Sequence, residues 1–192
     1  SYVDTGPVLE RALAEQSGIG TVGKNSCIIT KDFGSWVFLS EIISTLDLAK
    51  EGKVKSKFHS RDFSVCGNCT KCIDACPTGA IVAPGVIDSK LCISYLTIEN
   101  KEEIPKDLAK IIKETKRIYG CDICQEVCPH NEAKQKINTH PEFLNSKIAG
   151  GQLVSQDILN IKSDEEYLKR FAGSPLMRAK QKGLKRNLKI ID

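Results

Sequence analysis

No run in this sequence approaches the roughly 20 uninterrupted apolar residues that a membrane-spanning helix requires. The opening residues also lack the basic, apolar and small-residue order of a secretory leader. The chain is therefore expected to be soluble and cytoplasmic. Low-complexity segments are absent. Histidine is scarce, and the three present, His59, His130 and His140, have no ligand spacing to one another. The first residue is Ser1, and Tyr2-Val3-Asp4-Thr5-Gly6-Pro7 reads as the inside of a domain. The expectation is a fragment whose upstream segment is missing.

What remains is 192 residues with 41% hydrophobic content and nine cysteines. That length supports one substantial core, or a modest core plus a lobe stapled by a cofactor. Thiols clustered in a reducing compartment serve metal binding or catalysis far more often than disulfides. The net charge of +4 is unevenly placed, because Arg178, Lys180, Lys182, Lys185, Arg186 and Lys189 crowd the last fifteen residues. Such a run is either a solvated helix face or a contact for phosphates.

Pro7, Val8, Leu9, Leu13 and Ala14 at helical spacing, closed by Gly18, predict a first helix. The β-prone runs 27–30 and 35–39, separated by Lys31-Asp32-Phe33-Gly34, predict an antiparallel hairpin. A polar, lysine-rich stretch, 47–64, then leads into the cysteine-bearing lobe. Within that lobe Leu108, Ile111 and Ile112 predict a helix starting near Pro105. In the tail, Ser163-Asp164-Glu165-Glu166 fits a capping box and Ser174-Pro175 an N-cap followed by proline. The expected architecture is α+β: a partial α/β catalytic domain at 1–60, a ferredoxin-like lobe at 61–135 and a helical segment at 136–192.

Cys66-x2-Cys69-x2-Cys72-x3-Cys76-Pro77 is the bacterial ferredoxin run, in which three close thiolates wrap one 4Fe–4S cubane and the fourth cysteine reaches another cluster. Cys121-x2-Cys124-x3-Cys128-Pro129 is a second, incomplete copy, and Cys92 can supply its missing ligand. The crossover rule assigns Cys66, Cys69, Cys72 and Cys128 to one cluster, and Cys76, Cys92, Cys121 and Cys124 to the other. Paired Cys-x2-Cys units also serve zinc, but zinc sites seldom use a triple run ending in Cys-Pro. Cys27, in an apolar run, is expected to be a buried core thiol. Two adjacent clusters imply an electron path, and the flanking motifs indicate what it feeds.

Those motifs are Val3-Asp4-Thr5-Gly6-Pro7, Gly18-Ile19-Gly20 with Gly23-Lys24-Asn25, Gly34-Ser35-Trp36-Val37-Phe38-Leu39, Cys92-Ile93-Ser94-Tyr95-Leu96-Thr97, Tyr119-Gly120-Cys121-Asp122 and Phe171-Ala172-Gly173-Ser174-Pro175-Leu176-Met177-Arg178. On them the chain resembles the epoxyqueuosine reductases, cobalamin and iron–sulfur enzymes of tRNA modification. The resemblance covers most of 1–130 and the tail, with little to match at about 134–160. It implies an oxidoreductase that reduces epoxyqueuosine to queuosine at the wobble position of tRNA, using cobalamin fed by two 4Fe–4S clusters.

It also implies roles for single residues. Asp4 would be the general acid and touch the cofactor, against an ordinary reading as a helix or turn cap. Ile28, Leu39, Ser94 and Asp122 would contact cobalamin, although as sequence the first two are ordinary core residues and the others turn formers or caps. Arg11 and Thr97 would meet the tRNA. The expected partners are tRNA bearing epoxyqueuosine in its anticodon loop and an external low-potential electron donor such as a flavodoxin or ferredoxin, with the protein a monomer. Two other classes stay open: a stand-alone ferredoxin-like electron-transfer module, and a cobalamin-dependent enzyme akin to reductive dehalogenases.

Overall fold

The computed structural model describes residues 6–47, 63–132 and 152–192. They fall into two compact units that interleave along the chain. Unit 1 takes its described residues from 1–75, 83–86 and 124–135, and unit 2 from 76–82, 87–123 and 136–192. The cysteine-bearing stretch thus contributes residues to both units.

In unit 1 the first helix, α1 (Glu10–Gln16), starts three residues beyond Pro7 and ends before Gly18, whose φ of +76° places it in the left-handed region. Strand β1 (Thr21–Val22) pairs antiparallel with β2 (Ile28–Ile29), Thr21 opposite Ile29 and Val22 opposite Ile28. This corrects the expected hairpin. Residues 28–29 pair backwards onto 21–22, 35–39 forms no strand, and a single bridge between Thr30 and Gly34 closes the turn before it. The physical reason is local. Thr30 caps the turn itself, its hydroxyl donating to Gly34 O and accepting from Phe33 N, and Ser35 then turns towards Asn131 instead of extending. Ala14, Val22 and Ile28 form a small apolar core, with Leu39 and Phe63 packed at its edge. Helix α2 (Lys71–Asp74) carries Cys72.

Strands β3 (Ile81–Ala83) and β4 (Val86–Ile87) make a second two-stranded sheet, through which the boundary between the units runs. Helices α3 (Ile93–Ile98) and α4 (Lys106–Thr115) follow in unit 2. The predicted start at Pro105 is observed as the N-cap of α4, and Leu108 and Ile112 are buried. Helix α5 (Ile123–Glu126) and a 3-10 turn (Pro129–Asn131) flank Cys128.

The tail is helical as expected: α6 (Ser155–Leu159), α7 (Asp164–Phe171), a 3-10 turn (Pro175–Arg178) and α8 (Lys180–Ile191). Ser163 Oγ accepts from Glu166 N as the capping box requires, while Glu166 reaches back one residue further than expected, to Lys162 N. Ser174 precedes the proline turn, but its hydroxyl makes no cap bond. Two apolar clusters build this unit. One joins Ile158, Ile161, Tyr167, Phe171, Leu184 and Leu188, and the other Ile93, Leu96, Ile104, Leu108 and Ile112. No helix among the described residues is long and apolar enough to cross a membrane.

Candidate metal centre

In unit 1, Cys66, Cys69, Cys72 and Cys128 line one cavity together with Lys24, Asn25, Ile29, Pro129 and His130. Three of the thiols come from the 66–72 run, and the fourth arrives from 56 residues beyond Cys72. Two polar nodes bring them together. Lys24 donates its backbone N–H to Cys66 Sγ (3.4 Å), and its Nζ donates to the carbonyls of Gly67 (2.7 Å) and Cys69 (3.0 Å). Asn25, buried, donates through Nδ2 to Cys124 O (3.3 Å) and accepts from Cys27 N (3.1 Å). One β-turn therefore grips both cysteine loops.

The second node is Asn131. Its Oδ1 accepts from Ser35 N (2.7 Å), and its Nδ2 donates to Ser35 Oγ and Gln125 O (both 2.8 Å). Gly34 must be glycine here. A Cβ on it would lie 2.1 Å from Asn131 Oδ1 and 2.5 Å from His130 O, and its φ is +59°. His130 donates through Nε2 to Val65 O (2.8 Å), closing the entrance to the 66–72 loop.

The thiols crowd one another. Burial, then the charges of Cys124 and Cys66, push Cys72 from its ordinary 9.0 up to about 11. Burial also raises Cys128, helped by Cys66 and Cys69 and opposed by the His130 backbone N–H. Sulfurs that repel one another when ionised are suited to surround a multivalent cationic centre. Among the described residues no group of three His, Cys, Asp or Glu closes tightly enough to hold a single metal ion. The donor set, four thiols spread around a cavity with Ile29 and Pro129 in its walls, fits a cluster of several irons.

The other set is divided. Cys76, Cys92 and Cys121 belong to unit 2, and Cys124 belongs to unit 1. Cys76 is half-buried, and that partial burial raises its pKa, but hydrogen bonds from the Thr78 side chain and the backbone N–H groups of Thr78, Ala80 and Ile81 prevail and hold it below the usual thiol range. The Ala80 N–H donates to its sulfur at 3.3 Å. Cys92 lines an open cavity of about 290 Å³ with Ile87, Ser89, Ser94, Tyr95, Ile98 and Glu99. Cys27 is half-buried and lies outside the walls of the four-thiol cavity.

The remaining sequence candidates are scattered. Asp4 lies outside the described residues. Ile28 is 3% exposed in the small core of unit 1, and Leu39 packs at its edge. Ser94 lines the Cys92 cavity, and Asp122 is exposed. Arg11 is exposed and donates through Nη1 to Ser26 O (2.7 Å). Thr97 requires a correction. It is wholly buried, its hydroxyl donating to Ile93 O (2.8 Å) and accepting from Gly120 N (3.0 Å), so no RNA group reaches it.

The basic tail is also partly spent. Arg178 pairs with Glu99 (2.9 Å), Lys185 bonds Ile161 O, and Arg186 donates to Leu96 O (2.7 Å) and Asn100 O (2.9 Å). Sequence reasoning gave no role to Lys24, Asn25 or His130. The Gly23-Lys24-Asn25 motif was the available signal for the first two.

Residues 65–131 match the family model of the 4Fe-4S double cluster binding domain, so the chain carries an iron–sulfur module. Over 189 residues it is 40% identical to an epoxyqueuosine reductase of Gloeobacter violaceus, covering 97% of this chain and 56% of that protein. The Synechocystis enzyme of the same name is 41% identical over 187 residues, with 97% and 61% coverage. Among solved structures, a selenomethionine-labelled epoxyqueuosine reductase superposes with a TM-score of 0.79 at 37% identity, covering 98% of this chain and 47% of that one. Another, solved with an epoxyqueuosine-modified tRNA-Tyr stem loop, gives 0.77 at 36% identity, covering 100% and 47%. The chain thus spans about half the length of the relatives it matches.

Proposed function

Because this chain belongs to the epoxyqueuosine reductase family, we infer that it is the cluster-bearing half of an oxidoreductase that turns epoxyqueuosine into queuosine in tRNA. The observation that carries this reading is the cavity in which four thiols, distant in sequence, meet, in a chain 40% identical to such enzymes over 97% of its length. Removing an epoxide oxygen to leave an alkene consumes two electrons and two protons and releases water. A one-electron wire and a proton donor are the parts a protein must supply.

In this reading Cys66, Cys69, Cys72 and Cys128 hold one 4Fe–4S cluster, and Cys76, Cys92, Cys121 and Cys124 hold the other. An external low-potential donor such as a flavodoxin or ferredoxin delivers electrons to them, one at a time, in the cytoplasm. Asp4 serves as general acid, which requires surroundings that raise its carboxyl above the ordinary 3.9 or so. The protein acts as a monomer.

Cobalamin is supported by one local feature of unit 1. Beside Cys128 lies an open cavity of about 630 Å³, walled also by Trp36, Lys71, Glu126 and Asn131. The indole N–H of Trp36 is buried there with no acceptor among the described residues. An amide-fringed ring such as a corrin offers acceptors to that N–H. When bound, cobalamin would supply low-valent metal chemistry for reduction of the epoxide. Ser94 and Asp122 serve as polar contacts and Leu39 as an apolar one at its half-buried edge, with Ile28 beneath it in the small core.

For the RNA, Arg11 keeps further N–H groups beyond the one given to Ser26, and Lys180, Lys182 and Lys189 add salt-dependent attraction to phosphates. Sequence specificity then comes from the unstacked modified base.

The test uses the longer parent protein, reconstituted without oxygen with iron, sulfide and cobalamin, then mixed with tRNA bearing epoxyqueuosine and a low-potential reductant. Queuosine should form, and Asp4→Asn should abolish it while the cluster spectrum stays unchanged. Protein that holds both clusters and cobalamin yet forms no queuosine sinks the reading. A plain electron carrier would reduce a partner protein without any corrinoid, and a dehalogenase would release halide and ignore tRNA.

A further inference from the structure

Lys24 stands 42 residues before the first cluster cysteine, on the turn between β1 and β2, yet it is the residue most fully engaged with the Cys66–Cys69 loop. Its backbone N–H donates to Cys66 Sγ at 3.4 Å, and its Nζ donates to Gly67 O at 2.7 Å and Cys69 O at 3.0 Å. Its own carbonyl accepts from Gly85 N at 2.8 Å, so the residue is fixed from both sides. Lys24 is also half-buried in the wall of the four-thiol cavity, where the other side chains are Asn25, Ile29, Pro129, His130 and the cysteines. Lys24 is the one lysine or arginine among those lining side chains.

We propose that Lys24 is a positioning residue that raises the reduction potential of the cluster held by Cys66, Cys69, Cys72 and Cys128. The proposal rests on the ligand assignment above. Adding one electron to a cubane with four thiolates increases its negative charge, and a fixed cation nearby favours that reduced state over the oxidised one. The N–H···S bond at Cys66 acts in the same direction, because it withdraws charge from a ligand sulfur. Partial burial limits solvent screening of the ammonium. The two carbonyl bonds keep the charge beside the loop, so its effect does not average away as it would on a mobile surface lysine. The consequence is that loss of the Lys24 charge leaves the unit 1 cluster harder to reduce.

The experiment is an anaerobic redox titration of the full 192-residue chain, reconstituted with iron and sulfide, reduced stepwise with dithionite and read by electron paramagnetic resonance. Cys66→Ser marks which signal belongs to the unit 1 cluster. Lys24→Met, which keeps the aliphatic stem and loses the charge, should lower that potential by about tenfold in the redox equilibrium, or about 59 mV for one electron. The other cluster should not move, and Lys24→Arg should restore the wild-type value.

Unchanged potentials in Lys24→Met overturn the proposal, as does an equal shift in Lys24→Arg. If Lys24→Met sheds iron, Lys24→Gln keeps a donor for the two carbonyls and carries the same comparison with Lys24→Arg. Equal depletion in all three overturns tuning by charge. Wild-type chain that cannot hold two clusters overturns the ligand assignment itself, and iron analysis reads that separately from the potentials.

Discussion

The two units are stabilised by different means. Unit 2 has two apolar clusters whose largest members, Phe171, Ile112, Leu184 and Leu188, are at most 1% exposed. Among the described residues of unit 1 the apolar cluster is Ala14, Val22 and Ile28, while Phe38, Ile42, Ile43 and Leu46 are 73–102% exposed. A core that small leaves unit 1 marginal against the entropy of ordering its loops, which costs about 1–2 kcal/mol per residue. Unit 1 instead converges on four sulfurs through Lys24, Asn25 and Asn131, so binding free energy at those sulfurs serves as folding free energy. Unit 2 needs no such help.

The comparison breaks first on iron removal. Chelation in the absence of oxygen should weaken, without abolishing, amide exchange protection at 20–36 and 64–75 while 155–190 is unchanged, as read by mass spectrometry. Equal loss in both regions would show that the units are one cooperative body. The converse change is Phe171→Ala, which removes a ring 0% exposed. It should destabilise unit 2 by about 3–5 kcal/mol, measured by denaturant unfolding, with iron content unaltered.

Gly34→Ala comes next. A β-carbon at φ +59° costs about 1–2 kcal/mol. Displacing Asn131 adds about 1–3 kcal/mol of overpacking. Iron loading should fall, and unit 2 should be untouched. Asn187→Leu is smaller. It deprives Thr97 O and Ile118 O of the donor that Asn187 Nδ2 supplies at 2.7 and 2.9 Å. About 1–3 kcal/mol should be lost in unit 2 alone, again by denaturant unfolding.

The same contrast explains what the sequence could disclose. Cysteine spacing is a local pattern tied to rigid coordination chemistry, so the grouping of Cys66, Cys69, Cys72 and Cys128 around one cavity could be anticipated. The tail was legible for a similar reason: Ser163 and Glu166 lie three residues apart and cap one helix end. Pairing of 28–29 with 21–22 was not legible, because Trp36 to Leu39 has equal β propensity and contacts of Ser35 with Asn131 and Gln125, across 96 and 90 residues, draw it away. Thr97 misled because the family resemblance, not its own surroundings, placed it against the tRNA. Its burial depends on Gly120 donating to it from 23 residues on. Arg186 looked like a phosphate contact, yet it bonds the carbonyls at the end of α3, groups that every helix leaves without partners. Periodicity and charge runs carry no record of such distant acceptors.

The smallest effect concerns protons, and it sharpens the difference between the units. Cys72 is raised from 9.0 to about 11 by burial and by neighbouring thiolates. A raised acid pKa means that the folded, metal-free chain holds this proton more tightly than the unfolded chain does. The resulting stability is fully present below about pH 9 and is lost as pH rises towards about pH 11. Metal-free chain should therefore lose unit 1 structure across that window. Iron-loaded chain should not, because its sulfurs have already exchanged protons for iron. Circular dichroism of both forms from pH 8 upward checks this. A metal-free chain as resistant as the loaded one would mean that the four thiols do not crowd one another in solution.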